Sequence, residues 1–473
     1  MLEYGRASLR CRGLIALRGA VWAAAAGILT FQLFVPPIVG LSDQGDFARI
    51  IGRFGFGPED KSTPIWDAFV KRKYVRDASA RYPTLEQPSS EYLFTGAAVL
   101  LNRVVSSDGT LDIRLMGLVH AAAFLAAFAY LLKTTTPIRA APLVWVAALV
   151  ILTDVGYAGY WNSFFSEPAS CIFLVLLGAE SVSIGVRGKA SAWQAIRWSI
   201  WAALLMLAKA QNMPLALVLA PFALSFSRWR AARYAAILGF CLIVVAAGAN
   251  LGTVPKSLKL AATYNVVFMS IVPESRNPAG DLMALGIDPR FVKFSGSGAW
   301  TEGTALYDMA RTGLIGERVT PMTVARFYLL RPSSMWRHAK RMLPSVFLLR
   351  PEWCGNYERS AGFRPGARSY RFSLWSAVHE RVLSRVGKGI LVLLMMAPLV
   401  LVVAWIRFPE QRLRLEFAVV LVLAALMALA VAVYGEAWDN VKHMFLFNLL
   451  IDAGMIWVAS VLWTGRGSLQ SNK

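Results

Sequence analysis

The chain has 473 residues, of which 56% are hydrophobic and 16% charged, with 49 Lys and Arg against 28 Asp and Glu. Soluble globular chains carry about 25% charged residues, so a mean hydropathy of +0.50 excludes a soluble enzyme, a disordered chain and a fibrous one. The composition defines an all-α polytopic membrane protein, in which a net charge of +21 is first a question of sidedness rather than of nucleic acid.

A span needs roughly 20 apolar residues. About ten segments approach this, at 17–41, 113–132, 140–158, 168–186, 193–208, 213–227, 235–253, 389–406, 415–434 and 443–463. The first is too long for a signal peptide and holds Pro36 and Pro37 near its far end. Basic residues recur in every second connection: Arg6, Arg10, Arg12 and Arg18; Lys133 and Arg139; Arg187, Lys189 and Arg197; Arg228, Arg230 and Arg233; Arg407, Arg412 and Arg414; Arg466 and Lys473. Ten spans with both ends cytoplasmic satisfy this alternation. The chain then divides into a transmembrane core at 1–253 with its first extracytoplasmic loop at 42–112, an Arg-rich helical extracytoplasmic segment at 254–388, and C-terminal transmembrane helices at 389–473.

Directly after the first span the chain reads Leu41-Ser42-Asp43-Gln44-Gly45-Asp46-Phe47-Ala48-Arg49. Phe47, Ile50, Ile51 and Phe54 share one helical face and Asp43, Asp46, Arg49 and Arg53 another, the pattern of an interfacial helix lying on the bilayer. Capping of that helix by Ser42 or Asp43 is the plain alternative. Residues 90–105, which include Glu91, form an apolar stretch too short to span and are read as a second juxtamembrane helix. Further polar groups face the same side. Tyr160-Trp161-Asn162-Ser163-Phe164-Phe165-Ser166-Glu167-Pro168 gathers aromatic rings, an amide and a carboxylate suited to a sugar ring, although Glu167 also fits a first-turn acid. Lys209 sits between two short apolar spans, where it either snorkels or meets an anion. The last hairpin, Tyr434 to His443, places Lys442 and His443 at a helix start, against the macrodipole. In the segment 254–388, Arg residues interleave with Trp336, Trp353, Tyr357, Tyr370, Phe372 and Trp375; outside a membrane such Arg forks suit lipid phosphate or acidic glycan. Cys354 alone among four cysteines falls outside, so no disulfide framework forms there, and four scattered His give no zinc signature.

One span, an outer loop with an acidic motif and two juxtamembrane helices, then short hairpins, resembles the GT-C glycosyltransferases, which take sugar from a polyprenyl-phosphate carrier. Asp43-Gln44-Gly45-Asp46-Phe47 is similar to the Asp-Glu-x-x-Tyr motif of the aminoarabinose and mannosyl transferase branches, with the second carboxylate moved to position four and Phe in place of Tyr. The order of this motif, the Tyr160–Pro168 loop, Tyr264-Asn265 and Lys442-His443 resembles WsfD-type hexose transferases of glycan biosynthesis. The resemblance implies an inverting hexosyltransferase of a bacterial inner membrane, working at the outer face on a glycan or lipid acceptor, without nucleic acid. It implies Asp43 or Asp46 as the base. Arg49, Glu91, Trp161, Asn162, Glu167, Lys209, Tyr264, Asn265, Lys442 and His443 are the expected substrate-binding residues, with Lys209 and Lys442 sharing the carrier phosphate. A divalent metal is neither required nor ruled out. A glycolipid transporter or a polysaccharide polymerase or ligase are the rival readings; the absence of an internal repeat and the acidic motif weigh against them.

Overall fold

The computed structural model describes residues 2–465 apart from 63, 65, 78 and 80–86, with side chains over 12–457. Arg466 and Lys473, and the side chains of Arg6 and Arg10, therefore lie outside the described residues. Helices occupy all ten segments expected to span. Among the described residues, seven are long and apolar enough to cross a membrane: Arg12–Phe34, Arg114–Thr135, Glu167–Arg187, Ala210–Arg228, Arg230–Thr253, Leu374–Arg407 and Pro409–Tyr434. Ala141–Leu152 and Ala192–Ala208 fall short, at 12 and 17 residues, and Phe445–Gly465 completes the set. The chain is an all-α polytopic membrane protein, with one small sheet that the sequence did not announce.

Local chemistry fixes the helix ends. Glu167–Arg187 starts with Glu167 and Pro168 in its first turn and stops at Gly188, whose φ of 70° lets the chain leave the helix. Ala192–Ala208 opens on a capping box formed by Ser191 and Gln194 and ends where Lys209 turns extended. Glu167–Arg187 is the central strut, packed against Arg114–Thr135 and Ala192–Ala208 and buried over most of its length. By contrast Leu374–Arg407 shows Leu393, Met395, Leu399 and Val400 outward, an apolar surface that a soluble protein would have to cover. This helix begins well before the predicted start at 389.

The first outer loop differs from expectation in form. Phe47–Ile51 is a helix of 5 residues followed by a 3-10 turn, Gly52–Phe54. It is packed into the protein instead of lying on the bilayer, because Phe47 meets the rings of Phe164 and Phe165 at centroid distances of 5.5 and 4.7 Å. Glu91–Val105 forms as the predicted second helix, with Phe94, Ala98 and Val99 buried and Leu93, Leu100 and Val104 exposed. Between them lies the antiparallel sheet Phe56–Pro58, Lys73–Arg76 and Leu111–Asp112, in which Phe56 pairs with Arg76 and Lys73 with Asp112. The strands are too short to show an alternating pattern in the sequence.

Two cores result. One runs through the membrane bundle and takes in Val346, Phe347 and Leu349. The other, built on Tyr264, Phe268, Leu282, Leu306, Phe327 and Tyr328, belongs to the outer segment alone. Within the segment expected to be helical at 254–388, residues 302–345 form three short helices, Leu306–Arg311, Pro321–Leu330 and Pro332–Met342, with Pro321 and Pro332 each setting a new first turn.

Candidate functional site

The acidic loop makes its two carboxylates different. Asp43 Oδ1 accepts hydrogen bonds from the Gly45 amide at 2.8 Å and the Phe47 amide at 3.1 Å, a turn closed by Gly45 at φ +91°. The N-cap position itself is Asp46, which makes no side-chain cap bond, so Asp43 closes the turn that precedes the helix instead of capping it. Burial nevertheless pushes the Asp43 carboxyl up to about 6, and the nearby Asp46 charge adds to this against the amide bonds. Asp46 turns the other way. Its carboxylate pairs with Arg49 and lies 2.5 Å from Lys442 Nζ. Burial opposes its charge, but Arg49 and Lys442 outweigh burial and hold it well below the usual carboxylate range.

The two carboxylates line different clefts. The first, of about 650 Å³, is bounded by Asp46, Arg49, Tyr92, Phe165, Glu167 and Lys209 among others. Lys209 Nζ donates to Glu167 Oε1 at 2.8 Å, and among the described residues Lys209 and Arg49 are the cations that line this cleft. The second, of about 1020 Å³, is bounded by Asp43, Gln44, Trp66, Trp353, Arg364 and Trp438 among others.

Lys442 corrects an expectation. It is buried and packed over the Phe165 ring at 4.8 Å. Besides Asp46 it reaches Asp439 at 3.0 Å and Gln44 Oε1 at 3.3 Å. A buried ammonium between two carboxylates is an internal counter-ion, so Lys442 does not share a phosphate pocket with Lys209. The macrodipole it opposes is that of a single turn, Asn440–His443, and Asp46 and Asp439 supply the anions. His443 bonds Gln211, with Nδ1 2.8 Å from Gln211 Oε1 and the His443 carbonyl accepting from Gln211 Nε2 at 2.7 Å. Burial pushes its imidazole pKa down, with Lys209 and Lys442 acting in the same direction.

Five more of the expected ligands are engaged by contacts within the protein. Glu91 Oε1 is 2.7 Å from His120 Nε2, and His120 Nδ1 donates to the Trp161 carbonyl at 2.8 Å. Trp161 itself packs edge-on against Phe124. Asn162 Nδ2 donates to the carbonyls of Leu33 and Val39 at 2.9 and 2.8 Å, fixing the end of the first helix. Tyr264 bonds Ser297 at 2.8 Å in the core of the outer segment. Asn265 bridges Glu436 Oε1, at 3.0 Å, and the Ala299 amide, at 2.7 Å. Polar side chains in these loops satisfy backbone at the bundle end, where few other partners exist. That leaves Asp43, Asp46, Arg49, Glu167 and Lys209 on the cleft walls.

The second cleft comes from a strap between distant segments. Gly40 N donates to Asn356 O and Ser42 N to Gly355 O, each at 3.0 Å, and Gly355 N donates to Ser42 Oγ at 3.1 Å. Gly355 passes so close that a Cβ there would lie 2.0 Å from the Ala68 carbonyl oxygen. This strap sets Glu352, Trp353 and Arg364 beside Asp43. Trp66, Arg364 and Trp438 are not singled out in the sequence; for Arg364 the interleaving of Arg with aromatic residues in 254–388 was the available signal. Among the described residues no group of three or more His, Cys, Asp or Glu is placed to hold a metal ion.

A bundle of apolar helices whose interhelical loops build two adjoining charged clefts at one end defines a polytopic membrane protein with an enzyme-like site. Residues 13–472 match the family model described as the YfdI N-terminal transmembrane domain, and the chain belongs to that family. The chain is also similar to the archaeal oligosaccharyltransferase AglB from Archaeoglobus fulgidus, solved with an inhibitory peptide and a dolichol-phosphate. That similarity covers 96% of this chain at 12% identity with a TM-score of 0.39, and 52% of AglB, so the chain spans about half the length of that protein. No curated protein matches it.

Proposed function

We propose that the protein is an inverting GT-C-type hexosyltransferase that moves a sugar from a polyprenyl-phosphate carrier to a glycan or lipid acceptor at the outer face of a bacterial inner membrane. The observation that carries this reading is the separation of Asp43 and Asp46 onto two neighbouring clefts with opposite protonation tendencies. In the first cleft, Arg49 and Lys209 stabilise the phosphate as it leaves, a charge-assisted contact that strengthens as negative charge develops. The carrier chain leaves through the side lined by Ile50 and Tyr92. In the second cleft an acceptor hydroxyl attacks the anomeric carbon from the face opposite the phosphate. Asp43 takes its proton, a role suited to a carboxylate poised near neutrality. Asp46 is fixed as an anion by Arg49 and Lys442 and serves to hold Arg49 in the first cleft. The alternation of basic connections supports clefts on the outer side, and the motif order of the hexose transferases supports a hexose as the transferred sugar.

The test is turnover of polyprenyl-phosphate sugars by the purified protein across candidate donors. Wild type is expected to release polyprenyl phosphate and to transfer the sugar with inverted configuration, and Asp43→Asn to do neither. Full activity in both Asp43→Asn and Asp46→Asn, or retention of configuration, overturns the reading.

A further inference from the structure

The second cleft contains more than a base requires. Trp66 and Trp353 are 56% and 53% exposed, and both line it together with Trp438. Exposed indoles beside polar groups signal recognition, since bulk packing would bury them. Trp438 is held in place: it lies on Gly298, where a Cβ would come within 2.6 Å of the indole ring. Gln44 adds an oriented donor. Its Oε1 accepts from Lys442, which turns the amide, while its Nε2 is buried without a hydrogen-bond partner. A buried N–H that lacks a partner carries an uncompensated desolvation cost, and a ligand oxygen in the cleft would remove that cost. Indole faces for C–H surfaces, with an amide, a carboxylate and a guanidinium between them, match a pyranose ring, which has apolar faces and a hydroxyl edge. A prenyl or acyl chain would leave these polar groups unmatched.

We propose that this cleft is the acceptor site and takes a pyranoside, whose ring stacks on Trp353, Trp66 and Trp438 while Gln44 Nε2 donates to a ring hydroxyl and so positions it against Asp43. The proposal rests on the transferase reading for the role of the site, but its ligand class is testable without a donor.

Saturation-transfer NMR on the full-length protein in nanodiscs would use methyl glucoside, galactoside, mannoside and rhamnoside as probes, with n-butanol and a capped Ala-Ser dipeptide as competitors. At least one glycoside is expected to bind through its ring protons. Trp353→Ala should weaken that binding by about tenfold and Trp353→Phe should restore most of it. Gln44→Glu keeps an oxygen for Lys442 but removes the donor, and should also weaken binding about tenfold. Trp336→Ala, outside the cleft, should leave it unchanged. Undecaprenyl phosphate binding, measured in parallel, should persist in every variant and shows that they are folded. Its absence in wild type would count against the carrier reading alone. The acceptor proposal is overturned if no glycoside binds wild-type protein, if Trp353→Ala and Gln44→Glu bind the glycoside as tightly as wild type does, or if butanol or the dipeptide displaces the glycoside at equal concentration.

Discussion

Lys442 and Asp46 stand 396 positions apart in the sequence, and their Nζ and Oδ2 atoms meet at 2.5 Å. Through this contact the last hairpin closes on the first outer loop. It also explains why one carboxylate in the acidic motif is held charged well below the usual range while burial pushes its neighbour Asp43 up to about 6.

Because Lys442 is buried between Asp46 and Asp439, Lys442→Met should destabilise the protein by about 3–5 kcal/mol, the cost of leaving buried charges unpaired. Thermal unfolding in detergent measures it. Adding Asp439→Asn should recover part of the loss, since one orphaned carboxylate is then removed. An unfolding temperature equal to wild type would return Lys442 to the role of a ligand-binding cation.

The rate of transfer should rise with pH through about 6, the value to which burial pushes Asp43, because only the carboxylate accepts a proton. Asp43→Asn should lower transfer by about 10²–10⁴, and its residual rate should lack that limb. The same group acts on stability in the opposite sense. With its folded value raised above the ordinary 3.8, the native state binds more protons between 3.8 and 6, so this contribution to stability falls as pH rises through that window. A pH–rate profile whose limb survives in Asp43→Asn would assign it to another group.

Glu167 holds Lys209 at 2.8 Å on the wall of the first cleft. Lys209→Met should weaken polyprenyl phosphate binding by about 1–3 kcal/mol. Glu167→Gln frees the ammonium from its counter-charge, so binding should be kept or tightened. Equal losses in the two variants, read by titration with the carrier lipid, would make Glu167 a ligand contact in its own right.

Gly355→Ala should dismantle the second cleft and spare the first, because the Ala68 carbonyl that a Cβ would strike belongs to backbone. The buried thiol of Cys354 reports on this. In a Cys241→Ser background it should resist maleimide in the parent and react in the variant, while undecaprenyl phosphate binding persists. Unchanged protection of Cys354 would show that the strap yields without opening.

The hydrophobic segments, the alternation of basic connections and the helix at Glu91–Val105 were legible because each depends on local composition and period. Asp43, Asp46, Arg49, Glu167 and Lys209 stand out as well, since polar residues at the ends of apolar helices are few and conspicuous, and the structure sets them on the walls of the two clefts. Glu91, Trp161, Asn162, Tyr264, Asn265, Lys442 and His443 are as conspicuous, and in the structure each is held by contacts within the protein. A buried amide that clamps a helix carbonyl and an amide that binds a sugar look alike in one dimension.

The sequence by itself determined that this chain crosses a membrane repeatedly, and where its polar loops fall, because transfer of apolar side chains from water depends on their local sum. Only the tertiary structure decided which carboxylate stays charged and which faces Trp353, Trp438 and Arg364. Those outcomes depend on desolvation and on partners such as Lys442 and Gly355, which approach Asp46 and Ser42 across more than 300 positions, and no local pattern encodes a contact made at that separation.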